Sequence, residues 1–118
     1  MNVDGVKAFC RTFSGATEKN IAPPINVLSY RVGEKKFAYF KTSEPEQWRF
    51  SVRVSVDRFI ELTDQPGVKP AKYMGRFRWV TIVDVDGFHE DYLMALIESS
   101  YETAFRSRPK KQQREIFG

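Results

Sequence analysis

RFSVRVSV, residues 49–56, decides the fold. Phe50, Val52, Val54 and Val56 alternate with Arg49, Ser51, Arg53 and Ser55. A period of two predicts a strand with one face in a core and the other wet or turned to a ligand. Upstream, VLSYRV (27–32) and KFAYFKT (36–42) are β-rich runs on either side of Gly33-Glu34-Lys35, the pattern of a hairpin. SEPEQ (43–47) reads as a second turn, and RWVTIVDV (78–85) as a further strand.

Around these runs the apolar spacing turns helical. Val3, Val6, Phe9, Cys10 and Phe13 form one stripe, with Gly15 as a stop signal. Residues 18–26, EKNIAPPIN, read as a loop held extended by Pro23 and Pro24. Val56, Phe59, Ile60 and Thr63 predict a second helix, with Ser55 as N-cap and Asp57 in its first turn. Gln65-Pro66-Gly67 ends it, and 68–77 reads as loop or irregular strand. Leu93, Leu96, Ile97, Tyr101, Ala104 and Phe105 form the core stripe of a long helix from about His89 to Phe105. Arg108-Pro109 breaks it, leaving room for a short final helix over 110–118. The order α-β-β-β-α-β-α predicts an α+β domain, an antiparallel sheet covered on one face by helices. The expected division is a single domain over 1–105 and a basic C-terminal tail over 106–118.

Composition supports a folded domain. The chain has 118 residues, 42% hydrophobic and 14% aromatic, enough for a core. No apolar run approaches the ~20 residues of a membrane span, and MNVDGVKAF lacks the pattern of a secretory signal. The single Cys10 excludes an internal disulfide and a multi-thiolate metal site. It lies on the apolar stripe, where an inert core thiol is expected. A reducing cytoplasm is the expected compartment.

Charge is unevenly spread. Net charge is +4, and 106–114 holds five cations and no acid, so subtracting five leaves −1 for the rest. Residues 69–78 are purely basic, whereas 84–102 hold six acids and no Lys or Arg. One basic and one acidic side are expected.

Several landmarks, in order, carry a resemblance. They are Phe13-Ser14-Gly15-Ala16 after the first helix, the hairpin from Val32 to Ala38, and Gly67-Val68-Lys69-Pro70-Ala71 leading to Tyr73-Met74 and Arg78-Trp79-Val80. Ser100-Tyr101 and then Arg108-Pro109-Lys110-Lys111 complete the set. The sequence resembles the MmcQ/YjbR family, small bacterial domains with a CyaY-like fold described as a double-wing DNA-binding motif. The resemblance implies that fold and a DNA partner; no cofactor is expected. Many members have an Asn after the Met and a His shortly before the Trp. Here Gly75 and Phe77 or Arg78 take those places.

The candidate DNA-contacting residues fall in three segments. The hairpin supplies Arg31, Lys35 and Lys36; the third strand supplies Arg53; the basic-aromatic tract supplies Lys69, Lys72, Tyr73, Arg76 and Arg78. Cations meet phosphates and an exposed ring stacks on a base. The same residues also suit a solvated turn, a solubilising loop and, for Trp79, a core or rim anchor. The tail, RSRPKKQQR, suits either phosphate attraction or solubility. Catalysis finds little support. His89, the only histidine, sits at a helix start, and no P-loop, dinucleotide, nucleophile-elbow or zinc spacing occurs. The acids at 84–91 do not match an EF-hand loop. A non-enzymatic binding module is therefore expected, in contact with DNA phosphates and not with a membrane. The alternative is a protein-interaction domain with an acidic or apolar partner. An enclosed pocket near Tyr73, Trp79 and Tyr101 would mark a small-molecule role. Monomer and dimer both remain open.

Overall fold

A computed structural model describes residues 1–72 and 74–117, with the side chain of Arg76 outside the description. The elements run α1 (Val3–Arg11), β1 (Ala16–Ile21), β2 (Val27–Val32), β3 (Lys35–Lys41), β4 (Phe50–Arg53), α2 (Val56–Thr63), β5 (Val68–Pro70), β6 (Trp79–Ile82), α3 (Glu90–Arg106) and α4 (Lys110–Phe117). One six-stranded sheet has the order β1-β2-β3-β4-β6-β5, with every neighbouring pair antiparallel. The α+β class and the helix-covered antiparallel sheet are as the sequence predicts.

The count of elements is not. Residues 16–21 form an edge strand where a loop is predicted from residue 18, and 68–70 form a short strand on the other edge. β1 is polar and mostly exposed, so it lacks the alternation that reveals a strand. It forms because it pairs with β2 over six positions and because Glu18 anchors it. That carboxylate accepts hydrogen bonds from the Tyr30 hydroxyl at 2.6 Å and from Arg11 Nε at 3.0 Å. Burial, and then this bond to Glu18, pushes the Tyr30 phenol well above its usual range.

The core lies between sheet and helices. Tyr30, Phe37, Phe40, Phe50, Leu93 and Ile97 are fully buried, each contributing roughly 1.5–3 kcal/mol by area removed from water. Ser55 and His89 cap α2 and α3, accepting from the Arg58 and Tyr92 amides. Cys10 is buried, and burial pushes its thiol up to about 12. The apolar stripe predicted for α2 is divided: Phe59 packs against the core and Thr63 is half-buried, but Val56 and Ile60 are 56% and 65% exposed, and the fully buried residue is Leu62. Helix α4 carries the basic C-terminal segment. Its Ile116 packs against the core, and Phe117 meets Phe105 edge to face at 4.9 Å. Arg108, just before it, donates to the Gly33 carbonyl at 3.2 Å, tying this segment to the β2–β3 turn.

Candidate nucleic-acid interface

Cross-strand partners share a face of a sheet, so the register lays out the surface away from the helices. One row runs Lys19, Ser29, Tyr39, Ser51, Thr81, Lys69 from edge to edge. The Ser51 and Thr81 hydroxyls bond to each other at 2.8 Å within it. In the next row Arg53 is the partner of Trp79, and Arg31 that of Lys36.

A β-bulge decides which residues meet. The register slips between Tyr30 and Arg31, so Tyr30 pairs with Ala38 but Arg31 with Lys36. Phe37 is the extra residue, and its ring packs inward against Phe13 and Tyr101. Strict alternation would put Lys36 and Tyr39 on opposite faces. The bulge puts them on one: the Lys36 ammonium lies 4.5 Å from the Tyr39 ring centroid and 5.6 Å from that of Trp79. The two rings are 5.5 Å apart. Burial, and then the neighbouring Arg31 charge, pulls the Lys36 ammonium below its ordinary pKa. Lys36 is thus a folded-back lysine seated on aromatic rings, unlike a side chain protruding from a hairpin tip.

Two hollows flank it. A cavity of about 160 Å³ opens where β3 begins and β4 ends. Lys35, Lys36, Arg53, Met74 and Trp79 line it, and Ser100 and Thr103 of α3 close the far side. A second, wider groove of about 420 Å³ runs over Tyr39, with Lys41, Arg49 and Lys72 around it. Lys36 borders both.

The tract 69–78 is divided in its roles. Lys69 is held by Glu46 at 2.7 Å, and the same carboxylate oxygen takes Arg49 at 2.9 Å. Those two hydrogen bonds hold the Glu46 carboxyl below its usual range. Arg78 has a left-handed backbone, φ 66°, and its Nε donates to the Val54 carbonyl at 3.3 Å, so it serves the fold. Lys72 is exposed beside the groove. Tyr73 lies outside the described residues, as does the side chain of Arg76. Trp79 is 5% exposed, an anchor of the rim as expected. Arg31 is braced by the Ser29 hydroxyl and the Glu34 carbonyl.

By contrast, the side chains of Lys35 and Arg53 have no hydrogen bond or ion pair among the described residues. Sequence reasoning missed Tyr39 as a site residue. Its strand position was legible, but the bulge that brings Lys36 over it carries no local signal. Among the described residues no group of three or more His, Cys, Asp or Glu side chains is placed to hold a metal ion. No helix among them is long and apolar enough to cross a membrane.

The YjbR family model matches residues 11–103. The chain belongs to the YjbR family. Two solved structures agree with the fold of this YjbR protein. One is the Deinococcus radiodurans protein DR2400, with a DUF419 domain, which is 21% identical with a TM-score of 0.83 over 98% of this chain and 88% of that one. The other is a Pseudomonas syringae protein, 15% identical with a TM-score of 0.69 over 88% of this chain and 99% of that one. No curated protein matches the sequence. At these identities the two structures speak for the architecture alone, so the function of this YjbR domain is argued from its own surface.

Proposed function

We propose that this YjbR domain is a non-enzymatic DNA-binding module that holds the phosphate backbone along the sheet face centred on Lys36. One observation carries the reading: Lys36 borders both hollows, so cations from the hairpin, from β4 and, with Lys72, from the 69–78 tract line two adjoining hollows. These segments are far apart in sequence. Arg31, Lys35, Lys36 and Arg53 are the phosphate contacts, with Lys72 at the groove edge. Tyr39 is the ring beside which a base settles. Base edges find few hydrogen-bonding side chains here, so sequence preference is weak.

Binding of this kind releases counterions. Four phosphate contacts give a log–log salt slope of roughly −2.8 on a single strand and −3.6 on a duplex, or about 50-fold to 150-fold weaker binding from 50 to 200 mM salt. A fluorescence-anisotropy titration of labelled DNA at both salt concentrations tests this. Comparable affinity at the two concentrations, or no binding at 50 mM, refutes the proposal.

A further inference from the structure

We infer that the cavity between the start of β3, the end of β4 and α3 is a receptor for a phosphomonoester on a small apolar or planar body, of which a nucleoside monophosphate is the type. The inference deepens the strand-binding reading, because it shares Lys35, Lys36 and Arg53, but it does not require a strand.

Charge is the first argument. Among the described residues three cations line the cavity and no acid does. Elsewhere Arg11, Arg49, Arg58, Lys69 and Arg106 each have a carboxylate partner, and cations such as Lys110, Lys111 and Arg114 on α4 are exposed to solvent. Lys35, Lys36 and Arg53 have none among the described residues. The Arg53 Nε is buried without a hydrogen-bond partner among those residues, so its fork is not committed to the fold. Grouping uncompensated cations around a concave, partly desolvated space is costly unless an anion shares it. The lowered proton affinity of Lys36 reports part of that cost.

The kind of anion follows from count and shape. A carboxylate brings one charge. A phosphomonoester brings nearly two, with three strong acceptor oxygens, and a guanidinium fork with two ammoniums matches that set. Size limits what the cavity encloses: about 160 Å³ is below the ~300–1,000 Å³ of ordinary ligand pockets, so it takes the phosphate head and one edge of the attached body, the rest lying at its mouth. The remaining wall combines apolar Trp79, Met74 and Ala104 with Ser100 and Thr103. An anionic head with a compact apolar or planar body fits such a wall. Two sources share this chemistry: a free mononucleotide, and the 5′-phosphate end of a strand whose body lies in the neighbouring groove.

Trp79 lines the cavity and Trp48 stands outside it, so the Trp48→Phe protein reports the site by fluorescence. It is titrated at fixed ionic strength with thymidine 5′-monophosphate, thymidine, inorganic phosphate and succinate. Short single strands with a 5′-phosphate or a 5′-hydroxyl are titrated in parallel. The expected result is saturable binding of the monophosphate, at least 10-fold tighter than thymidine or succinate. Arg53→Met should weaken it at least 10-fold, and Lys111→Gln on α4 should leave it unchanged. A 5′-phosphate advantage on the short strand assigns the strand end as a source; binding of the free monophosphate alone assigns the mononucleotide. Equal binding of thymidine and its monophosphate, tighter binding of succinate, or equal losses in the two variants overturns the inference. Should Arg53→Met fail to fold, phosphorus NMR of the monophosphate with the unsubstituted protein decides the matter: a broadened or shifted signal supports the receptor, and an unchanged line width and shift would refute it. Failure here with salt-dependent binding of 5′-hydroxyl DNA intact removes the receptor and leaves the strand reading; the reverse result removes the strand reading alone.

Discussion

Ser100→Ala is the sharpest test of how the site is held. Ser100 is 2% exposed on the sheet-facing side of α3. Its hydroxyl donates to the Phe37 carbonyl at 2.6 Å and accepts from the Arg53 amide at 3.1 Å. Phe37 is the bulge residue and Arg53 ends β4. One hydroxyl therefore pins α3 to the two backbone points that set the positions of Lys36 and Arg53. Alanine leaves a buried carbonyl without this partner, at about 1–3 kcal/mol, and a part-buried amide, at about 1 kcal/mol. Against that, alanine is the better helix former by a few tenths of a kcal/mol. A net loss of roughly 2–4 kcal/mol is expected, about 1–3 M lower in urea midpoint for a typical slope near 1.5 kcal/mol/M. The exposed neighbour Ser99→Ala is the control, expected within about 0.5 kcal/mol of the parent. Urea unfolding followed by tryptophan fluorescence measures both. A Ser100→Ala loss below about 1 kcal/mol, or one equal to that of Ser99→Ala, refutes the reasoning.

Three further outcomes are expected. Glu46→Gln frees Lys69 and Arg49, so DNA binding should tighten and the salt slope should steepen by about one for each of the two that reaches a phosphate; an unchanged slope would count against a role for these cations. The Glu46 carboxyl is held low in the fold, so its contribution to stability is complete above the ordinary carboxylate range and lost as pH falls through the lower folded value. The pair is about a third to a half exposed, so the difference between parent and Glu46→Gln stays under about 1 kcal/mol at neutral pH and vanishes in acid, as pH-dependent unfolding would show. Cys10, with its thiol pushed up to about 12 by burial, should resist a thiol reagent at pH 8 and release one equivalent on denaturation; rapid modification of the folded protein would contradict its placement.

The alternation in 49–56, the helical stripe from Leu93 to Ala104, and the caps at Ser55 and His89 fixed the class of fold, because each is a local pattern that burial reinforces. Edge strand β1 escaped that reading because its partners are main-chain groups of β2 and the buried Tyr30 hydroxyl, neither of which leaves a period in its own residues. The stripe on α2 held only in part for the opposite reason: spacing says which residues share a helix face but not whether anything covers it, and Val56 and Ile60 face outward while Phe59 packs against the core. The basic segments were visible in the chain. Their meeting around Lys36 was decided by the bulge at Phe37 and by the pairing of β4 with β6, long-range hydrogen bonding that no short window of sequence encodes. The same tertiary contacts sorted the cations, committing Arg78 to a backbone carbonyl and Lys69 to Glu46 while leaving Lys35 and Arg53 facing the cavity.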